Sequence, residues 1–315
     1  MLHGNYIPVL LAFFSFNITD YENIVAVVVT YNPNSNINKL INSLENQVGT
    51  IIVVDNGSSQ KDFLNDTLSP SLEIIELPTN LGIAAAQNIG IVKGLAKKTD
   101  YFVFFDQDSQ IENNMIASLH ESFEEITKTA KLAAVGPVFY DPDYNFIYPQ
   151  IKLKPIFGRE RIIPTCEEYP IEVSFIISSG TFTSAEAISD IGMMNEDLFI
   201  DYVDTEWCLR ALDKEYKFYA LPNVKMAHTI GDDKIKFLLW NLPVHSPWRR
   251  YFRMRNMYVL FSLHYVPLSM KIREFIVNSI HQILIILSRP NKISYIRYWM
   301  TSQIHGVKYL FTKKI

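Results

Sequence analysis

Tyr101-Phe102-Val103-Phe104-Phe105-Asp106-Gln107-Asp108 is the stretch on which the fold turns. An uncharged apolar run of this kind marks a strand covered on both faces, because a half-exposed strand alternates with polar residues. Ligands of an open α/β sheet bind beyond the carboxyl ends of its strands. Asp106 and Asp108 are therefore expected on a ligand-binding edge. Two hard oxygen donors separated by one residue suit Mg²⁺ or Mn²⁺ carrying a nucleoside diphosphate. An isolated Asp-x-Asp is more often a solvated turn, so the rest of the chain has to decide.

Upstream, the same theme repeats. Ile24 to Val29 is a buried β-type run followed by Thr30-Tyr31-Asn32-Pro33, and Ile37, Leu40, Ile41 and Leu44 then recur at helical spacing. A second strand, Ile51 to Val54, ends at Asp55-Asn56-Gly57-Ser58-Ser59, and Leu72 to Leu77 forms a third. Asn80-Leu81-Gly82 opens an Ala-rich helix that carries Gln87, Asn88 and Gly90. Strands separated by helices, each ending in polar residues, predict a mostly parallel, doubly wound sheet. Its site should collect Thr30, Tyr31, Asp55, Asn80 and Asp106 at one edge. Asp55 could accept the imide N–H of uracil or thymine, with Thr30 and Tyr31 on base and ribose. Each also has a plainer use, Asp55-Asn56-Gly57 as a turn and Asn80 as a helix cap. No G-x-G-x-x-G follows the first strand, which argues against a dinucleotide fold.

Composition narrows the class. A chain of 315 residues can bury a large core, and two cysteines, Cys166 and Cys208, suggest reduced thiols rather than a disulfide framework or a zinc site. The net charge of -4 conceals a division: from His245 onward there are twelve Lys and Arg against one acid, Glu274, so a +11 tail is attached to a -15 body. Such a tail points to an anionic partner. Without a recognised nucleic-acid motif, and with many aromatic and aliphatic residues, it fits phosphate or lipid headgroups better than nucleic acid. Ile7 to Phe16 is too short to span a bilayer and lacks a preceding basic residue, so residues 1–22 read as an N-terminal extension. Phe275 to Ser288, apolar but interrupted by Asn278, His281 and Gln282, fits either a helix lying in a membrane interface or a core helix of a C-terminal subdomain.

A second acidic cluster lies about a hundred residues downstream. Phe175-Ile176-Ile177 leads into Ser178-Ser179-Gly180, and Leu198-Phe199-Ile200 into Asp201-Tyr202-Val203-Asp204-Thr205-Glu206-Trp207-Cys208-Leu209-Arg210. The pattern turns helical at Asp204. A carboxylate near a helix N-terminus is held ionised, as a base that deprotonates an alcohol must be. His228 follows a short apolar segment, where it could be structural or could join a carboxylate-held metal.

In this order the motifs strongly resemble glycosyltransferase family 2, of GT-A fold, and within it bacterial rhamnosyltransferases of O-antigen and capsule assembly. The resemblance covers about residues 24 to 260. It implies an α/β, doubly wound GT-A catalytic domain over residues 23–244, and the charge and apolar content of residues 245–315 read as a helical, basic, aromatic-rich C-terminal region that would associate with the membrane. Thr30, Tyr31, Asp55, Asn56, Asn80, Gly82, Asn88, Asp106 and Gln107 would hold the nucleotide. Asp106, Asp108 and His228 would hold Mg²⁺ or Mn²⁺. Asp204 matches the family's base, with Glu206 a competitor for that role or an acceptor contact. Gln87 stands where many members carry a basic residue. Such enzymes invert the anomeric centre in one in-line displacement. The implied partners are a nucleotide-sugar donor, best guessed as dTDP-rhamnose, a saccharide acceptor on a polyprenyl diphosphate, and the anionic inner face of the cytoplasmic membrane. Arg249, Arg250, Arg253 and Arg255 could serve that membrane surface or close over the donor diphosphate. A UDP-galactofuranose or UDP-hexose donor, or nucleotidyl transfer on the same acids, remain the alternatives.

Overall fold

The computed structural model describes residues 21–60, 69–141, 146–154, 158–164, 169–227, 233–237 and 240–312. The N-terminal stretch Ile7 to Phe16, Cys166 and His228 fall outside these residues. In chain order the first half gives β1 (Ile24–Thr30), α1 (Asn36–Leu44), β2 (Thr50–Asp55), β3 (Leu72–Glu76), α2 (Ile83–Ala96), β4 (Tyr101–Asp106), α3 (Met115–Thr127) and β5 (Leu132–Asp141). The middle contributes β6 (Phe146–Ile147), β7 (Gln150–Leu153), β8 (Arg159–Ile162), β9 (Ile171–Val173), β10 (Phe182–Ser184), α4 (Ala185–Ile191), α5 (Val203–Asp213) and β11 (Lys217–Ala227). The hairpin β12 (Asp233–Phe237) and β13 (Trp240–Val244) then leads to α6 (Pro247–Ser262), α7 (Leu268–Ser288) and α8 (Lys292–Thr312).

The main sheet runs β3-β2-β1-β4-β10-β5-β11-β9, with β6 paired to β5. Strands β3, β2, β1 and β4 are parallel, as are β5 and β11, whereas β10 and β9 are antiparallel to their neighbours. The expected mostly parallel α/β sheet is therefore present. Its uninterrupted apolar runs are split by the pleat: Val25, Val27, Phe102 and Phe104 pack on the side of α2, α4 and α5, while Ala26, Val28, Val103 and Phe105 pack on the side of α1 and α3. Helix α2 lies unusually close to the sheet. A Cβ at Gly90 would sit 2.4 Å from Cγ1 of Val27, so only glycine permits this approach. Cys208 is buried in α5 beside these core residues.

Helix α6 begins at Pro247, with Ser246 Oγ accepting from Arg249 N at 3.3 Å, a regular start for a helix. It packs against both later helices. Arg250, buried, donates to Gln282 and to the Asn278 carbonyl of α7, and Gly306 of α8 lies directly against the Tyr258 ring.

Candidate active site

Register builds one wall of the site. Thr30 pairs with Asp55 across β1 and β2, and Val29 pairs with Asp106 across β1 and β4, so the strand ends arrive level at one edge. There Thr30 Oγ1 donates to Asp55 Oδ1 at 3.0 Å, and Ser58 donates to the same carboxylate from both its backbone N–H and its hydroxyl. The Gln107 side chain accepts from Tyr31 N at 2.7 Å and ties the end of β4 to that of β1. Asn56 donates to Asn80 Oδ1 at 3.0 Å, and Asn80 accepts in turn from Gly82 N at 2.9 Å. These contacts leave Thr30, Tyr31, Asn56, Asn80 and Gly82 lining a cleft of about 1480 Å³ that Asp106, Gln107 and Asp108 also enter.

Three carboxylates define the floor and the opposite lip. Burial, then the charges of Asp108 and Asp204, push the Asp106 carboxyl up to about 6, against the pull of Arg249. Asp204, in the first turn of α5, is also raised by burial, with Asp201 adding to the effect. The backbone N–H groups of Thr205 and Ser178 oppose it, that of Thr205 at 2.7 Å. Clustered carboxylate charge lining one cleft fits a divalent cation, which would offset the mutual repulsion that raises Asp106. Among the described residues no group of three or more His, Cys, Asp and Glu side chains is arranged to hold a metal, and His228 lies outside them.

The approach to Asp204 is strained. Phe199, Asp201 and Tyr202 all have φ between 62° and 66°, strained for non-glycine residues at a cost of about 1–3 kcal/mol each, and Phe199, with ψ -64°, is the centre of a γ-turn closed by Ile200 N donating to Leu198 O. Helix α6 holds this loop in place. Asn256 Nδ2 donates to the carbonyls of Leu198, Ile200 and Asp201 at 2.8, 2.8 and 3.0 Å, and Arg255 donates to those of Asp197 and Leu198. The Phe199 ring stacks on Phe252 with centroids 4.4 Å apart, and its carbonyl accepts from Ile83 N at 2.7 Å. One loop thus joins the N-terminus of α2, the start of α5 and α6.

The four arginines that appeared equivalent in sequence have separate positions. Arg249 and Arg253 enter the cleft and share Asp201 Oδ1 at 3.5 Å each. Arg250 is 1% exposed, its pKa lowered to about 10 by burial and by Arg253. Arg255 is spent on the loop carbonyls.

Three other sequence candidates sit away from the cleft lining. Asp55 lies beneath it, fully buried and occupied by Thr30 and Ser58. Asn88 staples a distant loop, donating to Met194 O and Glu196 and accepting from Met194 N. Glu206 is 1% exposed, takes a two-point contact from Arg210 at 2.9 and 3.1 Å, and accepts from Tyr265 OH. Conversely, Ser178 and Gln87 do reach the cleft, joined at 2.5 Å, although Ser178 had no role assigned from sequence.

The family model for glycosyl transferase family 2 matches residues 25–191. The chain is 44% identical over 290 residues to the dTDP-rhamnosyl transferase RfbF of Shigella flexneri, covering 91% of this chain and 96% of that protein. Among solved structures it resembles S. aureus TarS residues 1–349, with a TM-score of 0.54 at 17% identity over 91% of this chain and 80% of that one. The complex of that fragment with UDP-GlcNAc gives 0.53 at 16% identity over 91% and 81%. GalNAc-T7 with UDP, GalNAc and Mn²⁺ gives 0.54 at 15% identity, with 81% of this chain covering 54% of that one. The chain belongs to glycosyl transferase family 2 and is a glycosyltransferase.

Proposed function

We propose that this glycosyltransferase moves L-rhamnose from dTDP-rhamnose to a saccharide on a polyprenyl diphosphate, with inversion, in the assembly of a cell-surface polysaccharide such as O-antigen or capsule. The observation that carries the reading is the placement of Asp204, at the start of α5, on the same cleft as Asp106 and Asp108. Thr30, Tyr31, Asn56 and Asn80 receive the nucleoside at the strand ends. A divalent cation held by Asp106 and Asp108, with His228 as the further candidate ligand, would neutralise charge on the departing nucleoside diphosphate.

Asp204 acts as the base. Its raised pKa brings it nearer to that of the acceptor hydroxyl as the hydroxyl acidifies in the transition state, while the Thr205 and Ser178 N–H groups keep the carboxylate pointed and ionised. Arg249 and Arg253 supply fixed positive charge on the same cleft, held by Asp201. Glu206 has no part in proton transfer, because both its oxygens are already engaged. The donor is supported by the 44% identical relative. The lipid-linked acceptor, and a peripheral position on the cytoplasmic face of the membrane, are supported by the +11 charge of the last 71 residues.

Incubation with dTDP-rhamnose, UDP-galactofuranose and UDP-hexoses, each with Mn²⁺ or Mg²⁺ and a lipid-linked acceptor, tests this. Release of dTDP from dTDP-rhamnose is expected. Diphosphate release from a nucleoside triphosphate, or no nucleoside diphosphate from any donor, would overturn it.

A further inference from the structure

We infer that α7 and α8 form a two-helix docking surface that lies in the interface of an anionic lipid bilayer, using an exposed apolar ridge on each helix together with the exposed cations of α8. The ridges are read directly from exposure. On α7, Leu268, Ile272, Ile276, Ile280, Ile283 and Leu287 are all exposed at intervals of three and four residues. On α8, Ile293, Ile296, Met300, Ile304, Val307 and Phe311 repeat the pattern, with Ile293 at 84% and Phe311 at 75% exposure. Spacing of this kind places each set on one side of its helix. The inward sides are accounted for: Asn278, Gln282 and Ile285 of α7 and Tyr295, Ser302 and Gly306 of α8 are buried.

Two exposed apolar ridges of six residues each mark an interaction site. Charge identifies the occupant. Helix α8 contains no acid, and Arg297 and Lys308, each next in sequence to a ridge residue, are exposed without a carboxylate partner among the described residues. Lys292 at its N-terminus is also exposed. A second copy of this chain would bring like charges together, whereas anionic headgroups complement them. The exposed Tyr298 suits the same boundary. Both helices have 21 residues, yet among the described residues no helix is apolar enough to cross a membrane. The polar residues Arg273, Glu274 and His281 on α7 instead line the cleft. Helix α7 therefore carries the cleft wall on one side and the ridge on another, which would set the site at the bilayer surface.

The inference deepens the lipid-linked acceptor reading but is tested without donor or acceptor, so either can fail alone. The full-length protein is floated with phosphatidylcholine vesicles and with phosphatidylethanolamine–phosphatidylglycerol vesicles, its fold checked by thermal melting and its mass in solution by light scattering. The expected result is binding to the anionic vesicles. It should fall about tenfold or more in the double variant Ile272→Asp/Ile304→Asp, because each change removes an exposed aliphatic side chain that would insert among the lipids, and be unchanged in Val92→Asp, an exposed apolar position on α2. Arg297→Glu/Lys308→Glu should abolish the preference for anionic over neutral vesicles. Wild-type protein that stays off both vesicles, ridge variants that bind as well as wild type, or dimers that the ridge variants dissolve would each overturn it.

Discussion

The side-chain amide of Asn256 donates to the backbone carbonyl of Ile200 at 2.8 Å, and in doing so it links the C-terminal helices to the loop that delivers Asp204. The same nitrogen reaches Leu198 and Asp201, so one fully buried amide holds three carbonyls of a strained turn. Asn256→Ala removes this donor from the Ile200 and Asp201 carbonyls, while Leu198 keeps Arg255, a cost of about 1–3 kcal/mol, and frees the loop to relax from its positive-φ conformation. The expected outcome is a fall in kcat larger than the fall in thermal stability explains, with donor KM little changed. Steady-state kinetics beside a melting curve checks it.

Gly82 makes the complementary contact from the other side. Its φ is +90°, and a Cβ there would lie 2.6 Å from Phe199 O. Gly82→Ala is expected to destabilise the fold by at least about 1 kcal/mol from backbone strain alone and to disturb the loop before α5. Urea unfolding measures the first effect and turnover the second.

Asp204 and Glu206 are separable by the kind of damage they cause. Asp204→Asn removes the base and is expected to lower kcat by at least about 10²-fold, with little loss of stability because the native carboxylate is raised by burial. Glu206→Gln breaks a buried pair with Arg210 and is expected to cost about 3 kcal/mol while sparing the pH profile. Paired measurements of Tm and kcat distinguish the two.

Cation binding should report on Asp106. Its folded pKa of about 6 stands above the unfolded value of 3.8, so in metal-free protein this group's contribution to stability is present at low pH and is lost as pH rises through about 6. A cation displaces the proton. Apparent affinity for Mn²⁺ with dTDP should therefore be flat above about pH 6 and fall towards tenfold per pH unit below it. Titration calorimetry across about pH 5 to 8 checks this, with Asp106→Asn expected to remove the break.

The strand-end edge was legible because its signal is local. Phe102 to Phe105 are uncharged since both faces of β4 are covered, and register then brings Thr30, Asp55 and Asp106 level at one edge, where Asn56 and Asn80 also line the cleft. The partners of Asn88 and Glu206 were not legible for the opposite reason. Those partners, Met194, Glu196, Arg210 and Tyr265, include residues of remote loops and helices, so motif spacing alone could not distinguish a staple from a ligand contact. Asn256 was hidden among the arginines of the basic tail, and only the carbonyls of residues 198–201 reveal its use. The apolar ridge of α7 was partly visible as Phe275 to Ser288. That of α8 was not, because Tyr295, Arg297, Ser302 and His305 interrupt it in sequence though not on its face.

The central claim is that Asp204 takes the acceptor proton in a sugar transfer from dTDP-rhamnose. The most direct test is the rate of dTDP release with Mn²⁺ and a polyprenyl-diphosphate-linked acceptor, wild type against Asp204→Asn. Acceptor-dependent release by the wild type, reduced at least about 10²-fold in the variant, is the predicted result. Equal release by both proteins would contradict it.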